Sequence, residues 1–167
     1  MQGDLFGDQV LNQLKSDWQE VIEHDGGHCP VCSRWGKIYG RNINRTMTIS
    51  LIWLASAETN EEGWVDVPTK APRWLVRSNQ LPTLKWWGLV ERKPNDKDSA
   101  NKHSGMWKVT ERGARFVDGK IAVPKRAFTY NDEVLGFEDN LVLIHECFRD
   151  QFDYEEIMRI RYTNLEL

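Results

Sequence analysis

Apolar residues recur every three or four positions through the first part of the chain, and that period predicts a helix. Val10, Leu11, Leu14, Trp18, Val21 and Ile22 share one stripe, with Gln13, Lys15, Asp17 and Glu20 mostly outside it. Asp25-Gly26-Gly27 closes this helix, because glycine accepts the positive φ of a C-cap. A second helix is expected from Thr46 to Thr59, with Met47, Leu51, Ile52, Leu54 and Ala55 among its apolar positions, broken by Asn60-Glu61-Glu62-Gly63. Trp64-Val65-Asp66-Val67 alternates as a short half-buried strand does. Pro68 and Pro72 leave room only for a short helix from Arg73 to Arg77. Ser78-Asn79 reads as the N-cap of a further helix that reaches Trp87, with Pro82 in its first turn and Gly88 at its end.

Leu89 to Lys93 then reads as a strand, Pro94 to Gly105 as a polar loop, and Met106 to Thr110 as the returning strand. Thr110-Glu111-Arg112-Gly113 turns into a short helix, Ala114 to Val117, after which Gly119 to Gly136 shows no regular pattern. A last helix is predicted from Glu138 to Phe148, with Leu141, Ile144, His145 and Phe148 on one face, and a shorter one near Tyr154 to Met158. The expected fold is α+β but mainly helical. It divides into residues 1–45 (N-terminal helix and Cys-x-x-Cys knuckle), 46–118 (a helix–strand core) and 119–167 (a C-terminal irregular and helical extension), packed as one unit.

Charge is sorted along this framework. Between Pro68 and Arg126 fourteen Lys/Arg stand against five Asp/Glu, a net of +9, inside a chain whose total is −3. The first 67 residues carry five against ten and the last 41 carry three against ten. A basic block of this kind on a compact domain is an electrostatic footprint for phosphate backbones. Forty per cent hydrophobic residues and eight tryptophans are enough for a core, with Trp18, Trp53 and Trp107 on the inward stripes and Trp35 expected at the surface. No run approaches the roughly 20 apolar residues of a membrane span, and Met-Gln-Gly-Asp-Leu-Phe lacks the features of a signal peptide. Three cysteines do not close a disulfide framework, so a reducing, cytoplasmic setting is expected.

From Thr46 to Val117 the expected order is helix, strand, helix, helix, strand, loop, strand. Leu84-Lys85-Trp86-Trp87-Gly88-Leu89-Val90-Glu91 resembles the junction between recognition helix and wing of winged-helix regulators. Ser104-Gly105-Met106-Trp107-Lys108-Val109-Thr110-Glu111-Arg112-Gly113 resembles their second wing strand, with its "threonine-x-x-glycine" ending. The resemblance covers roughly seventy residues and implies a winged helix-turn-helix core that binds double-stranded DNA. On that placement Leu81, Leu84, Trp86 or Trp87, Leu89 and Val109 build the core. Arg77, Asn79, Gln80, Thr83 and Lys85 flank or line the recognition helix. Arg77, Asn79 and Gln80 suit base edges, and Lys93, Lys97, Lys102 and Lys108 on or beside the wing suit phosphates.

Cys29-Pro30-Val31-Cys32 is a knuckle spacing that points two thiolates at one metal, and zinc is the expected ion. His28 and His103 are the candidates to complete the set, with His24, His145 and Cys147 as further options; a reduced thiol pair without metal is the alternative. Across its whole length the chain is similar to uncharacterised small bacteriophage and prophage proteins. The similarity rests on Gly26-Gly27-His28-Cys29-Pro30-Val31-Cys32, Lys85-Trp86-Trp87-Gly88-Leu89 and Gly105-Met106-Trp107-Lys108-Val109-Thr110. It implies a phage origin, and hence the host cytoplasm. No enzyme motif is present, and the carboxylates Asp132, Glu133, Glu138 and Asp139, which could hold a nuclease metal, read as solvated loops. The expectation is a small DNA-binding phage regulator. The alternative is an interaction module that docks a host or phage protein through its acidic ends; a second copy of the chain is a further candidate partner.

Overall fold

The computed structural model describes residues 5–95 and 103–151. Among them no helix is long and apolar enough to cross a membrane. They form two compact units: the stretch up to Arg41 joined by Ala127–Phe137, and Asn42–Arg126 joined by the stretch from Glu138.

The mainly helical balance expected of the chain is corrected by ten strands in four sheets among the described residues; the fold is α+β. Most of the discrepancy lies after Gly119. There the chain forms β7 (Val123–Pro124), β8 (Arg126–Tyr130), β9 (Glu133–Phe137) and β10 (Leu141–Val142), and the helix expected from Glu138 is replaced by β10 and a 3-10 helix, Ile144–Gln151. Strand β8 escaped detection because its hydropathy is inverted. Ala127 and Thr129 point inward, while Phe128 between them is exposed. Period-two reading takes large apolar residues as the buried set, and here the buried set is small or polar. The helix expected near Tyr154 lies outside the described residues.

The first unit is built on α1 (Leu5–Glu23) and the hairpin β1 (Gly27–His28) and β2 (Trp35–Gly36), with β3 (Tyr39–Asn42) in a sheet of order β3-β8-β9. The helix docks on the hairpin through its C-terminal half. A Cβ on Gly36 would lie 2.6 Å from the Trp18 ring, and one on Gly27 would lie 2.6 Å from Val21 Cγ1, so these two positions admit the side chains only as glycines. Ile38 N–H donates to the Ile22 carbonyl at 2.7 Å, tying the following segment to the helix. Strands β8 and β9 are joined by Asn131 and Asp132, both at positive φ, the backbone of a type I′ two-residue turn.

In the second unit α2 (Arg45–Ser56) is the centre. Every residue from Met47 to Leu54 is buried. Two of them are hydroxyl residues, and both bond backward: Thr48 Oγ1 donates to the Arg45 carbonyl at 2.8 Å and Ser50 Oγ to the Thr46 carbonyl at 2.8 Å. Burial therefore leaves no hydroxyl proton unmet. Asn44 caps the helix, its side chain accepting from Met47 N–H at 3.0 Å. Around α2 lie β4 (Val65–Asp66), α3 (Val67–Lys70), α4 (Arg73–Ser78), a 3-10 helix Leu81–Trp87, β5 (Val90–Arg92), β6 (Met106–Val109) and α5 (Glu111–Val117). The sheet order is β4-β6-β5, antiparallel throughout, with Val65 opposite Trp107 and Val90 opposite Val109.

The Trp87-Gly88-Leu89 and Thr110-x-x-Gly113 segments turn out to be two sides of one contact. Thr110 Oγ1 donates to the Gly88 carbonyl at 2.6 Å and accepts from Gly113 N–H at 3.0 Å; Thr110 N–H donates to the Leu89 carbonyl at 3.1 Å. Arg112 Nε donates to the Trp87 carbonyl at 3.0 Å. Helix α5 thus starts directly on the turn that ends the 3-10 helix.

Candidate functional site

The basic segment begins with Lys70 on α3, exposed and 3.1 Å from Glu58 Oε2, and continues on α4. Only Leu75 of this helix is buried, and Arg73, Trp74, Val76 and Arg77 are exposed. Arg73 and Arg77 are four residues apart and share a face. Trp74 and Val76, at 42% and 51% exposure, flank them. Arg73 had no place among the residues expected to bind DNA; its spacing to Arg77 was the available signal.

Beyond α4 the structure departs from expectation. Asn79 does not cap a following helix; at φ 51 and ψ 30 it closes α4 in the left-handed conformation. The next seven residues wind as a 3-10 helix, not an α-helix. Leu81, Leu84 and Trp87 are buried from it at a spacing of three, which a 3-10 turn places in register and an α-turn does not. Trp87 Nε1 anchors the end by donating to the Pro124 carbonyl at 2.6 Å. Gln80 is half-buried and its Nε2 donates to the Ser78 carbonyl at 3.3 Å, while Thr83 Oγ1 donates to the Gln80 carbonyl. Lys85 is exposed on the outer side.

The two described wing lysines are held by carboxylates. Lys108 Nζ lies 2.7 Å from Glu91 Oε1, directly across the β5–β6 pair, and 4.4 Å from the centroid of the Trp64 ring. Lys93 Nζ lies 2.8 Å from Glu62 Oε2, and its hydrogen bond and charge hold that carboxyl below its ordinary range. Arg92 stacks over Trp107 at 4.2 Å. Lys97 and Lys102 lie outside the described residues.

The cysteines occupy the tip of the β1–β2 hairpin. Cys29 N–H donates to the Arg34 carbonyl at 2.8 Å, Ser33 N–H to the Cys29 carbonyl at 2.9 Å, and Ser33 turns the chain at φ 57. The amides of Cys32 and Val31 point at Cys29 Sγ and pull its thiol below the ordinary cysteine range. Burial opposes the two amides more weakly, and the Cys32 thiol adds the smallest lowering effect. His28 Nδ1 is 3.0 Å from the Ser33 carbonyl and its ring meets Trp35 edge-on. His24 Nδ1 is likewise 3.0 Å from the Glu20 carbonyl. His103 is exposed and belongs to the second unit. Cys147 points its thiol at the Leu143 carbonyl, and burial, with the Glu146 charge, pushes it up to about 12. Among the described residues no three His, Cys, Asp or Glu side chains gather as a metal site. Asp132 and Glu133 lie at the exposed β8–β9 turn, and Glu138 sits 3.6 Å from Arg126 Nε.

Each unit also has a concavity. That of the first, about 720 Å³, is mostly apolar and lined by Trp18, Ile22, Ile38, Phe128, Tyr130 and Leu135. That of the second, about 700 Å³, is polar, with Asn42, Asn44, Lys125 and Asn140 on its walls. Comparison with protein-family models, curated proteins and solved structures finds no match to this chain.

Proposed function

We propose that the second unit binds double-stranded DNA, chiefly through phosphate contacts made by the exposed face of α4 and the turn that follows. The observation that carries this reading is the pairing of Arg73 with Arg77 on one open helical face, beside the exposed ring of Trp74. This face stands in the segment where fourteen Lys/Arg oppose five Asp/Glu. Asn79 and Lys85, both exposed, follow α4 in the chain, and Lys93 and Lys108 join only by exchanging a carboxylate for a phosphate. Recognition in this reading is dominated by charge, because the side chains of Gln80 and Thr83 are already bonded to backbone.

Binding of the full chain to a mixed-sequence duplex, followed by fluorescence anisotropy across a salt series, tests the proposal. Each neutralised phosphate contributes about 0.9 to the slope of log K against log salt. The double substitution Arg73→Ala/Arg77→Ala therefore lowers the slope by about 1.8. No binding at low salt, or an unchanged slope in the variant, refutes it.

A second reading has its own observation. Val10, Leu11, Leu14 and Val21 on α1 remain exposed among Asp8, Asp17, Glu20 and Glu23. A row of this kind suits a protein partner, and pull-down with α1 variants separates it from DNA binding.

A further inference from the structure

We propose that Cys29 and Cys32 are half of a zinc site whose other half is the same pair of thiols in a second copy of this chain, so that one zinc ion joins two chains. The inference is independent of the DNA reading.

The hairpin that carries the pair is rigid where rigidity matters. Gly27 and Gly36 pair across it and seat Val21 and Trp18 of α1, and the Cys29–Arg34 and Ser33–Cys29 backbone bonds close its tip. Cys32 follows Cys29 by three residues around this closed tip, a spacing that lets two thiolates bind one ion. The tip is open: Cys32 is exposed, and Val31 between the thiols is 77% exposed.

A structural zinc site takes four nitrogen or sulfur ligands. This tip supplies two. Of the chain's five other Cys and His residues, His103, His145 and Cys147 belong to the other unit. Cys147 points its thiol at the Leu143 carbonyl, while His24 and His28 direct Nδ1 to backbone carbonyls, which leaves Nε2 open on each. Among the described residues no third ligand joins the pair, and residues 1–4, 96–102 and 152–167 contain neither Cys nor His. A twofold-related copy offers an identical turn, and isologous pairing then completes a tetrahedral four-sulfur set.

Charge favours the same occupant. Four thiols release four protons on binding one zinc, leaving a complex of charge −2. Arg34, exposed two residues beyond Cys32, brings one positive charge from each copy. The His28 expected as a ligand meets the Trp35 ring edge-on beside the knuckle.

The test is a titration of the full, reduced chain with zinc chloride, followed by light scattering and elemental analysis. The expected result is a doubling of mass at one zinc per two chains, reversed by a chelator. Cys29→Ser and Cys32→Ser should each stay monomeric, whereas Cys147→Ser should dimerise like the unaltered chain. Cobalt in place of zinc should give the strong sulfur-to-metal absorption of a tetrathiolate, which decides the matter on the unaltered chain if a serine variant fails to fold. One zinc per monomeric chain, a dimer that survives the chelator, or no zinc uptake by the reduced chain overturns the proposal.

Discussion

Replacing Gly113 with alanine tests how the second unit is assembled, because two physical effects oppose each other there. The residue lies within α5 at an ordinary helical φ. In an unconstrained helix glycine to alanine is worth about 1 kcal/mol of stabilisation. Here the added Cβ would overlap the Leu89 carbonyl oxygen and meet Val109 Cγ1 at 2.8 Å. The oxygen is backbone, fixed by its bond from Thr110 N–H, so it cannot swing aside as a side-chain end can. Overpacking of this kind costs about 3 kcal/mol at the upper end of its usual range. Offset by the helix gain, the net destabilisation is ~2 kcal/mol. For a unit of this size that corresponds to a fall in melting temperature of about 8 °C. The assay is thermal and urea unfolding by tryptophan fluorescence, since Trp53, Trp87 and Trp107 are buried in this unit. Ala114→Gly, at an exposed position one residue on, is the control and should cost about 1 kcal/mol. A Gly113→Ala variant as stable as the parent, or more so, refutes the close seating of α5 on Leu89.

Two further predictions concern titratable groups. Glu62 has its carboxyl lowered by Lys93, so the pair's stabilisation is present above the unfolded carboxylate pKa and is lost as pH falls through the lower folded value. Glu62→Gln should therefore melt below the parent near neutrality and converge with it on acidification. A difference that stays constant from about pH 7 to about pH 3 would contradict the assignment. Release of Lys93 should also steepen the salt dependence of duplex binding by about 0.9 if DNA is the partner. Iodoacetamide on the reduced, chelator-treated chain should alkylate Cys29 first and leave Cys147 nearly untouched at mildly alkaline pH, because the thiol of Cys147 is pushed up to about 12. Mass spectrometry of the peptides reads this order directly, and equal rates at the three cysteines would refute it.

How much of this could be read in the residues depends on whether the deciding interaction is local. Helix α2 was legible because its apolar run is continuous within a dozen residues; its Asn44 cap was not read. The strands Val90–Arg92 and Met106–Val109 were legible because their inward residues are also their apolar ones. The 3-10 helix was misread for a subtler reason. Its three-residue spacing of Leu81, Leu84 and Trp87 is also a common half of an α-helical stripe, and only Asn79, which accepts a left-handed backbone readily, marked the break. Strand β8 was invisible because Ala127 and Thr129 face inward, a choice settled by residues far away in sequence.

The same distinction separates the two candidate sites. The thiol pair is local: four consecutive residues carry it, and backbone bonds of Cys29, Ser33 and Arg34 close the turn. What could not be read was the fate of the remaining ligands. Adjacency in sequence hides the direction of His28, whose Nδ1 the hairpin turns onto the Ser33 carbonyl and whose ring it sets edge-on to Trp35. The basic surface is the opposite case. Its charge was visible as a count, yet Lys93 and Lys108 spend theirs on Glu62 and Glu91, the first of these lying 31 residues from its partner. A count of lysines and arginines therefore overstates the field available to a ligand by the number of carboxylates folding brings to them. What remains on α4 is smaller and better placed. Two arginines, one helical turn apart on a face that buries only Leu75, make a more specific claim than a net of +9.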